Sequence, residues 1–84
     1  MFSKYVTVTD IYGRVHVLEK SGLTVEVSTR YGYDHYVLIN GWQVSGRARN
    51  REDALSRMKS IVRKMSWSDK IDATDYVNAD DYKE

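Results

Sequence analysis

The feature that most constrains the fold is the Asn40-Gly41 pair, which stands between two stretches of alternating apolar residues. A two-residue type I′ turn needs a positive φ at both central positions, and Asn-Gly adopts that conformation readily. The turn places Ile39 beside Trp42 and Val37 opposite Val44. The sequence therefore predicts an antiparallel hairpin with these apolar side chains on one face.

The residues before this turn repeat the same alternation, and they predict three further hairpins. A four-residue loop, "DIYG", sets Val8 opposite Val15 and Val6 opposite Val17. A three-residue loop, "KSG", then pairs the second strand with the third, and "RYGYD" leads from the third strand to the fourth. Together these loops predict an antiparallel meander of four to five strands, with one valine-rich face.

Beyond this meander the apolar spacing becomes helical. Asn50 is a good N-cap, and Glu52 with Asp53 favours the positive end of a helix. The apolar residues that follow share one side of the predicted helix: Ala54, Leu55, Met58, Ile61, Val62 and Met65. The predicted fold class is α+β, with one main amphipathic helix packed on one face of the sheet.

The charges of this 84-residue chain divide it into a basic body and an acidic end. Residues 1–68 carry eleven Lys and Arg against six Asp and Glu, and residues 69–84 carry two against six. We therefore predict one α+β domain over residues 1–68 and an acidic C-terminal tail over residues 69–84. Part of that tail is expected to be a short helix, and Tyr76 and Val77 are the side chains able to dock it.

The composition argues against most kinds of catalytic site. The chain has no cysteine, and its two histidines, His16 and His35, lack the spacing of metal ligands. No glycine-rich phosphate loop is present, and no Ser/His/Asp arrangement can be read. We expect a protein that is not an enzyme and has no cofactor. No apolar run is long enough to span a membrane, and we find no signal peptide, so we expect a cytoplasmic protein.

One main helix covers only one face of the predicted sheet, so the other face is a candidate protein-binding surface. A protein partner is favoured, a second copy of the chain is an alternative, and in the third alternative the acidic tail folds back over the face. Tyr31 and Tyr33 form an exposed loop beside it, of the kind that supplies rigid contact area. The residues assigned to the outer face are Tyr5, His16, Leu18, Tyr36 and Leu38.

The basic residues around the helix support a rival hypothesis, nucleic-acid binding. Arg47, Arg49 and Arg51 stand at alternate positions, so they project to one side if the segment is extended. We call these three residues the arginine row. Lys59 and Arg63 flank the apolar side of the helix, where long basic side chains also serve simply as a solvated border. A nucleic-acid contact would involve the row together with these flanks.

The stretch "TVEVST…HYVLIN…WQVSGRA…REDALSRMKSIV" resembles the end of the double-stranded-RNA-binding domain in its order of strands and helix. It is also similar in outline to the arm-type DNA-binding domains of tyrosine integrases. The resemblance covers roughly residues 23–65 and concerns topology. The size and the acidic tail also look like small virus-encoded proteins that inhibit host enzymes. Our leading expectation is a small protein-interaction module or a virus-type inhibitor.

Overall fold

The computed structural model describes residues 3–77. Over this range the chain forms six strands, one long helix and one short 3-10 helix, so the α+β fold class is confirmed. In chain order these elements are β1 (Tyr5–Thr9), β2 (Val15–Glu19), β3 (Val25–Arg30), β4 (Asp34–Ile39), β5 (Trp42–Gln43), α1 (Arg51–Met65), β6 (Lys70–Asp72) and the 3-10 helix (Ala73–Tyr76).

The strands form two sheets rather than a single meander. The first sheet has the order β2-β1-β6, and the second sheet has the order β3-β4-β5. All neighbours are antiparallel except β1 and β6, which run parallel. The predicted pairing of β2 with β3 is therefore wrong, since these two strands belong to different sheets.

The second sheet has the register that its turn residues predict. Ile39 pairs with Trp42, and the N–H of Val44 donates to the carbonyl of Val37 over 3.0 Å. Asn40 and Gly41 have φ values of 50° and 86°, as a type I′ turn requires.

The register between β1 and β2 differs from the prediction by one residue. Val8 pairs with His16 and Val6 with Leu18, because the hairpin closes through a loop of three residues and not four. A shift of one residue exchanges the two faces of a strand. His16 and Leu18 therefore point inward, and the assignment of both to the outer face is wrong. The valines of β2 now lie outside.

Much of the predicted tail is part of the folded domain. Residues 70–72 form β6, in which Ile71 pairs with Val8, and both side chains are fully buried. Tyr76 packs against the core from the 3-10 helix that follows β6. The last seven positions of the predicted tail, 78–84, lie outside the described residues.

The helix begins and packs as its spacing predicts. The Asn50 side chain accepts a hydrogen bond from the N–H of Asp53 over 2.8 Å, which satisfies one of the free donors of the first turn. Ala54 and Ile61 are fully buried, whereas Val62 is 49% exposed at the edge of the apolar side. The helix contacts β3, β4 and β6. The buried core that results comprises Val6, Val8, Val37, Ile39, Val44, Ile61, Ile71 and Ala73.

Candidate protein-binding site

The loop between β1 and β2 is organised by the side chain of Asp10. Its Oδ1 accepts hydrogen bonds from the backbone N–H of Tyr12 over 2.9 Å and of Arg14 over 3.0 Å. The N–H of Gly13 donates to the carbonyl of Asp10, and Gly13 adopts a φ of 81°. Together these bonds close the three-residue loop and thereby set the register of β2.

The other oxygen of Asp10 contacts two side chains, one from Arg14 just before β2 and one from His16 within β2. Oδ2 lies 3.0 Å from Nε of Arg14 and 3.0 Å from Nε2 of His16. Burial alone would raise the pKa of Asp10. The hydrogen bonds from His16 and from the backbone of Arg14 and Tyr12, with the charge of Arg14, outweigh that effect and lower the pKa to about 2. Asp10 is therefore a carboxylate at neutral pH, although its side chain is fully buried.

Trp42 connects the residues around the Asp10 carboxylate to the second sheet. The imidazole of His16 stacks on the Trp42 ring at 4.0 Å between centroids and 17° between planes. The Arg14 guanidinium carbon lies 5.0 Å from the Trp42 ring and 5.1 Å from the Tyr12 ring. We call Asp10, Tyr12, Arg14, His16 and Trp42 the arginine–aromatic cluster. It lies where the hairpin of β1 and β2 meets the hairpin of β4 and β5.

A backbone hydrogen bond reinforces this junction. The N–H of Ile11 donates to the carbonyl of Gln43 over 3.0 Å, which ties the β1–β2 loop to β5. The cluster thus has a structural role, since it holds the two sheets together at one end. Its outer groups are nevertheless open to solvent.

Two groups of the cluster are exposed in a fixed arrangement. Tyr12 is 66% exposed, and the side chain of Arg14 is 57% exposed. Within residues 3–77, neither Nη of Arg14 takes part in a hydrogen bond, because Asp10 contacts only Nε. A guanidinium held through Nε and lying near two aromatic rings presents its two Nη groups to an incoming carboxylate or phosphate.

The residues predicted to form one outer face are divided among three places. Tyr5 lies on the outer face of the first sheet and is 43% exposed. Tyr36 and Leu38 lie together on the outer face of the second sheet, both half-buried, and the Arg30 guanidinium lies 4.9 Å from the Tyr36 ring. His16 and Leu18 point inward, so no single surface unites the predicted set.

The tyrosine loop is exposed as predicted. Tyr31 and Tyr33 are 76% and 64% exposed, and their ring centroids are 6.2 Å apart. Tyr31 and Gly32 both have positive φ values, of 60° and 81°, in the tight turn from β3 to β4. No carboxylate within the described range fixes these rings, in contrast to the cluster around Asp10.

The basic residues separate into two groups. Arg57 donates to the carbonyls of Gly46 and Tyr76, and Lys64 contacts Asp75 over 3.2 Å, so both stabilise the fold. A second group of basic side chains is exposed to solvent. Of the predicted nucleic-acid contacts, Arg47 lies 4.0 Å from Asp34, and the remaining four are exposed: Arg49, Arg51, Lys59 and Arg63.

An open apolar groove of about 470 Å³ lies between the start of the second sheet and the end of α1. Lys20 forms one wall, because its Nζ bonds to the carbonyl of Met65 over 3.3 Å and to Asp69 over 2.7 Å. The hydrogen bond from Lys20 also lowers the pKa of Asp69. The groove is lined by Lys20, Leu23, Val25, Val62, Met65 and Ser66.

Other kinds of site are not found in the described part of the chain. No group of three or more potential metal ligands lies close together among residues 3–77. Over the same range, no helix has the length and apolar character needed to cross the bilayer.

Sequence reasoning missed four members of the cluster: Asp10, Tyr12, Arg14 and Trp42. One signal was available, since an aspartate placed three residues before a glycine is a common way to close a turn. The contact between Trp42 and the first hairpin has no local signal, because it joins residues far apart in the chain.

Comparison with protein-family models, with curated protein sequences and with solved structures finds no match to this chain.

Proposed function

We propose that this chain is a small non-catalytic protein-binding module, and that the arginine–aromatic cluster is its contact site. The observation that supports the proposal is the Arg14 guanidinium, which is exposed yet held by a buried carboxylate and two rings. Tyrosine, tryptophan and arginine are the residues that most often dominate the energy of protein interfaces. Here all three occur at one end of the molecule.

The chemistry of the cluster indicates the partner group that it would bind. The two Nη groups of Arg14 suit a bidentate carboxylate, and the exposed ring of Tyr12 offers apolar contact beside it. Because Asp10 already fixes the guanidinium, little rotamer entropy is lost when a partner binds. We therefore propose an acidic side chain next to an apolar one as the element of the partner that is recognised.

The lack of cysteine suits a reducing compartment, so we place this interaction in the cytoplasm. A virus-type inhibitor of a host protein is one form that such a module takes.

Selection from a library of random short peptides on the immobilised protein tests this proposal. We expect enriched peptides to contain Asp or Glu beside an apolar residue. We expect Arg14→Ala to weaken their binding by about ten- to a hundredfold, the loss typical of a charge-assisted contact. The measurement is fluorescence anisotropy with a labelled enriched peptide.

Arg30→Ala is the matched control. Arg30 also lies over a tyrosine ring, that of Tyr36 on the outer face of the second sheet, but no buried carboxylate holds it. Its affinity for the peptide should equal that of the unmodified protein. Enriched peptides without acidic residues, or equal losses in both variants, would contradict the proposal.

Nucleic-acid binding is a second candidate, and a specific observation favours it. Arg51, Lys59 and Arg63 are exposed along one side of α1, and none of their side chains makes a hydrogen bond, an ion pair or a ring contact within residues 3–77. Arg47 and Arg49 precede them on either side of the buried Ala48. These five cations are the predicted row and flanks.

Salt dependence distinguishes this candidate from the first. Binding of a labelled duplex would weaken steeply with salt, because each neutralised phosphate releases counterions. Replacing Arg51, Lys59 and Arg63 with Gln would lower the slope of log K against log salt by about 0.9 per lost phosphate contact. Replacing Lys4, Arg30 and Lys70 with Gln removes the same amount of charge elsewhere on the surface and serves as the control. An absence of binding at low salt removes this candidate.

A further inference from the structure

The outer edge of β2 carries backbone groups that no strand of the described chain uses. The N–H of Lys20 donates to the carbonyl of Lys4, and the N–H of Asp10 donates to the carbonyl of Arg14. These bonds mark the even-numbered residues of β2 as the ones whose backbone faces β1. The N–H and carbonyl groups of Val15, Val17 and Glu19 therefore point away from the first sheet, of which β2 is an edge strand.

The side chains along this edge are apolar and exposed. Val15 and Val17 are 61% and 66% exposed, and they pair with Thr9 and Thr7 on the same face. Proteins usually protect an exposed edge with lysine, proline or a bulge. β2 contains no lysine or proline and pairs with β1 without a bulge, and its one charged residue, Glu19, stands at its end. The edge is therefore suited to accept another strand.

We infer that the occupant of this edge is β2 of a second copy of the chain, paired antiparallel about a two-fold axis at His16. Arg14 of the proposed peptide contact immediately precedes β2, but its side chain lies with His16 against Trp42, on the face opposite to Val15 and Val17. An isologous pairing suits a strand whose own edge groups are complementary to themselves. The first sheet of each copy, with the order β2-β1-β6, would then join the first sheet of the other copy in one continuous sheet of six strands.

The residues in β2 and directly beside it favour this register over the others that a two-fold axis allows. An axis at Val17 would place Arg14 opposite Lys20 of the second copy, and an axis at Leu18 would place the exposed Val17 opposite Glu19. Like charges directly opposite each other are destabilising. The axis at His16 avoids both, and it places Val15 of each copy opposite Val17 of the other, so that the four exposed valines cover one another.

Sedimentation equilibrium of the purified protein tests the association. The contact is one strand and its neighbours, which is small for a stable interface, so we expect a reversible dimer. The average mass should rise with concentration from the 9.8 kDa of one chain toward twice that value. A mass of one chain at every concentration would overturn the inference.

Two variants test whether β2 is the contact. Val17→Lys adds a charge at an exposed position and should abolish the dimer. Val17→Pro removes an N–H that points away from β1, so it should also abolish the dimer while the pairing within the sheet remains. Tyr31→Lys, at a residue 76% exposed in another loop, is the control and should associate normally. Circular dichroism verifies that each variant folds, and a folded Val17→Lys dimer would overturn the assignment.

The absence of cysteine allows the register to be tested directly. Residues opposite each other in a hydrogen-bonded antiparallel pair have Cα atoms about 5.5 Å apart, within the range of a disulfide. An oxidised mixture of Val15→Cys and Val17→Cys chains should therefore form more covalent dimer than either variant alone. A Val17→Cys chain that crosslinks to itself as fully as the mixture would overturn the axis at His16.

Discussion

Among single residues, Asp10 has the widest effect, because one buried carboxylate closes a loop and holds both Arg14 and His16. We expect Asp10→Asn to lower the free energy of unfolding at neutral pH by about 1 to 3 kcal/mol, since hydrogen bonds to a buried charged carboxylate are lost. Urea unfolding measures the loss. Asp75→Asn is the control, because Asp75 is 54% exposed and pairs only with Lys64, so its loss should stay below about 1 kcal/mol.

The pKa of Asp10 adds a pH dependence to this prediction. Folding lowers the pKa from 3.8 to about 2, so the unfolded chain binds a proton more readily than the folded protein does. The stability that the carboxylate contributes is present above pH about 4 and is lost as the pH falls toward about 2. The difference between the unmodified protein and Asp10→Asn should therefore shrink over this window. A difference that stays constant across it would contradict the role given to the charge.

Among the secondary-structure elements, the loop between β1 and β2 depends on Gly13. Its φ of 81° is unfavourable for residues with a Cβ, although a Cβ there would meet no atom within 4 Å. We expect Gly13→Ala to cost about 1 to 2 kcal/mol from backbone conformation alone. Thermal unfolding measures the cost. Gly13→Asn should cost less, because Asn tolerates the left-handed region better. Equal costs for the two variants would indicate a different cause.

The elements differ in how far the sequence predicts them, and the reason is how local their determinants are. Asn40-Gly41 and Asn50 act on residues beside them, so the second sheet and the start of α1 are predicted correctly. The register of β2 is not, because its alternation allows either Val15 and Val17 or His16 and Leu18 to face inward. The side chain of Asp10 and the distant Trp42 decide between these registers.

The same reasoning applies to the candidate sites. The exposed tyrosine loop and the exposed cations of α1 could be predicted from local patterns. The arginine–aromatic cluster could not, because it requires the contact between two hairpins that only the folded chain makes. β6 is a similar case, since three residues give little signal for a parallel strand that pairs across the length of the domain.

On the scale of the whole molecule, strand β6 completes the first sheet and contributes to the core. β1 lies between β2 and β6, and Ile71 of β6 is fully buried with Val6 and Val8 of β1. We expect Ile71→Ala to lower the free energy of unfolding by about 2 to 5 kcal/mol, the range for a buried large-to-small substitution. Chemical denaturation followed by circular dichroism measures it. In a chain this short, a loss of that size is a large part of the total stability.

Val62→Ala is the matched control for this prediction, because it also shortens an aliphatic side chain but at a position 49% exposed. It should cost about 1 kcal/mol or less. If residues 69–77 were only a loose tail on a domain that ends at residue 68, Ile71→Ala would cost no more than Val62→Ala. A clear difference between the two variants therefore places β6 in the cooperative core. Equal and small losses would instead support the shorter domain that the charge distribution indicates.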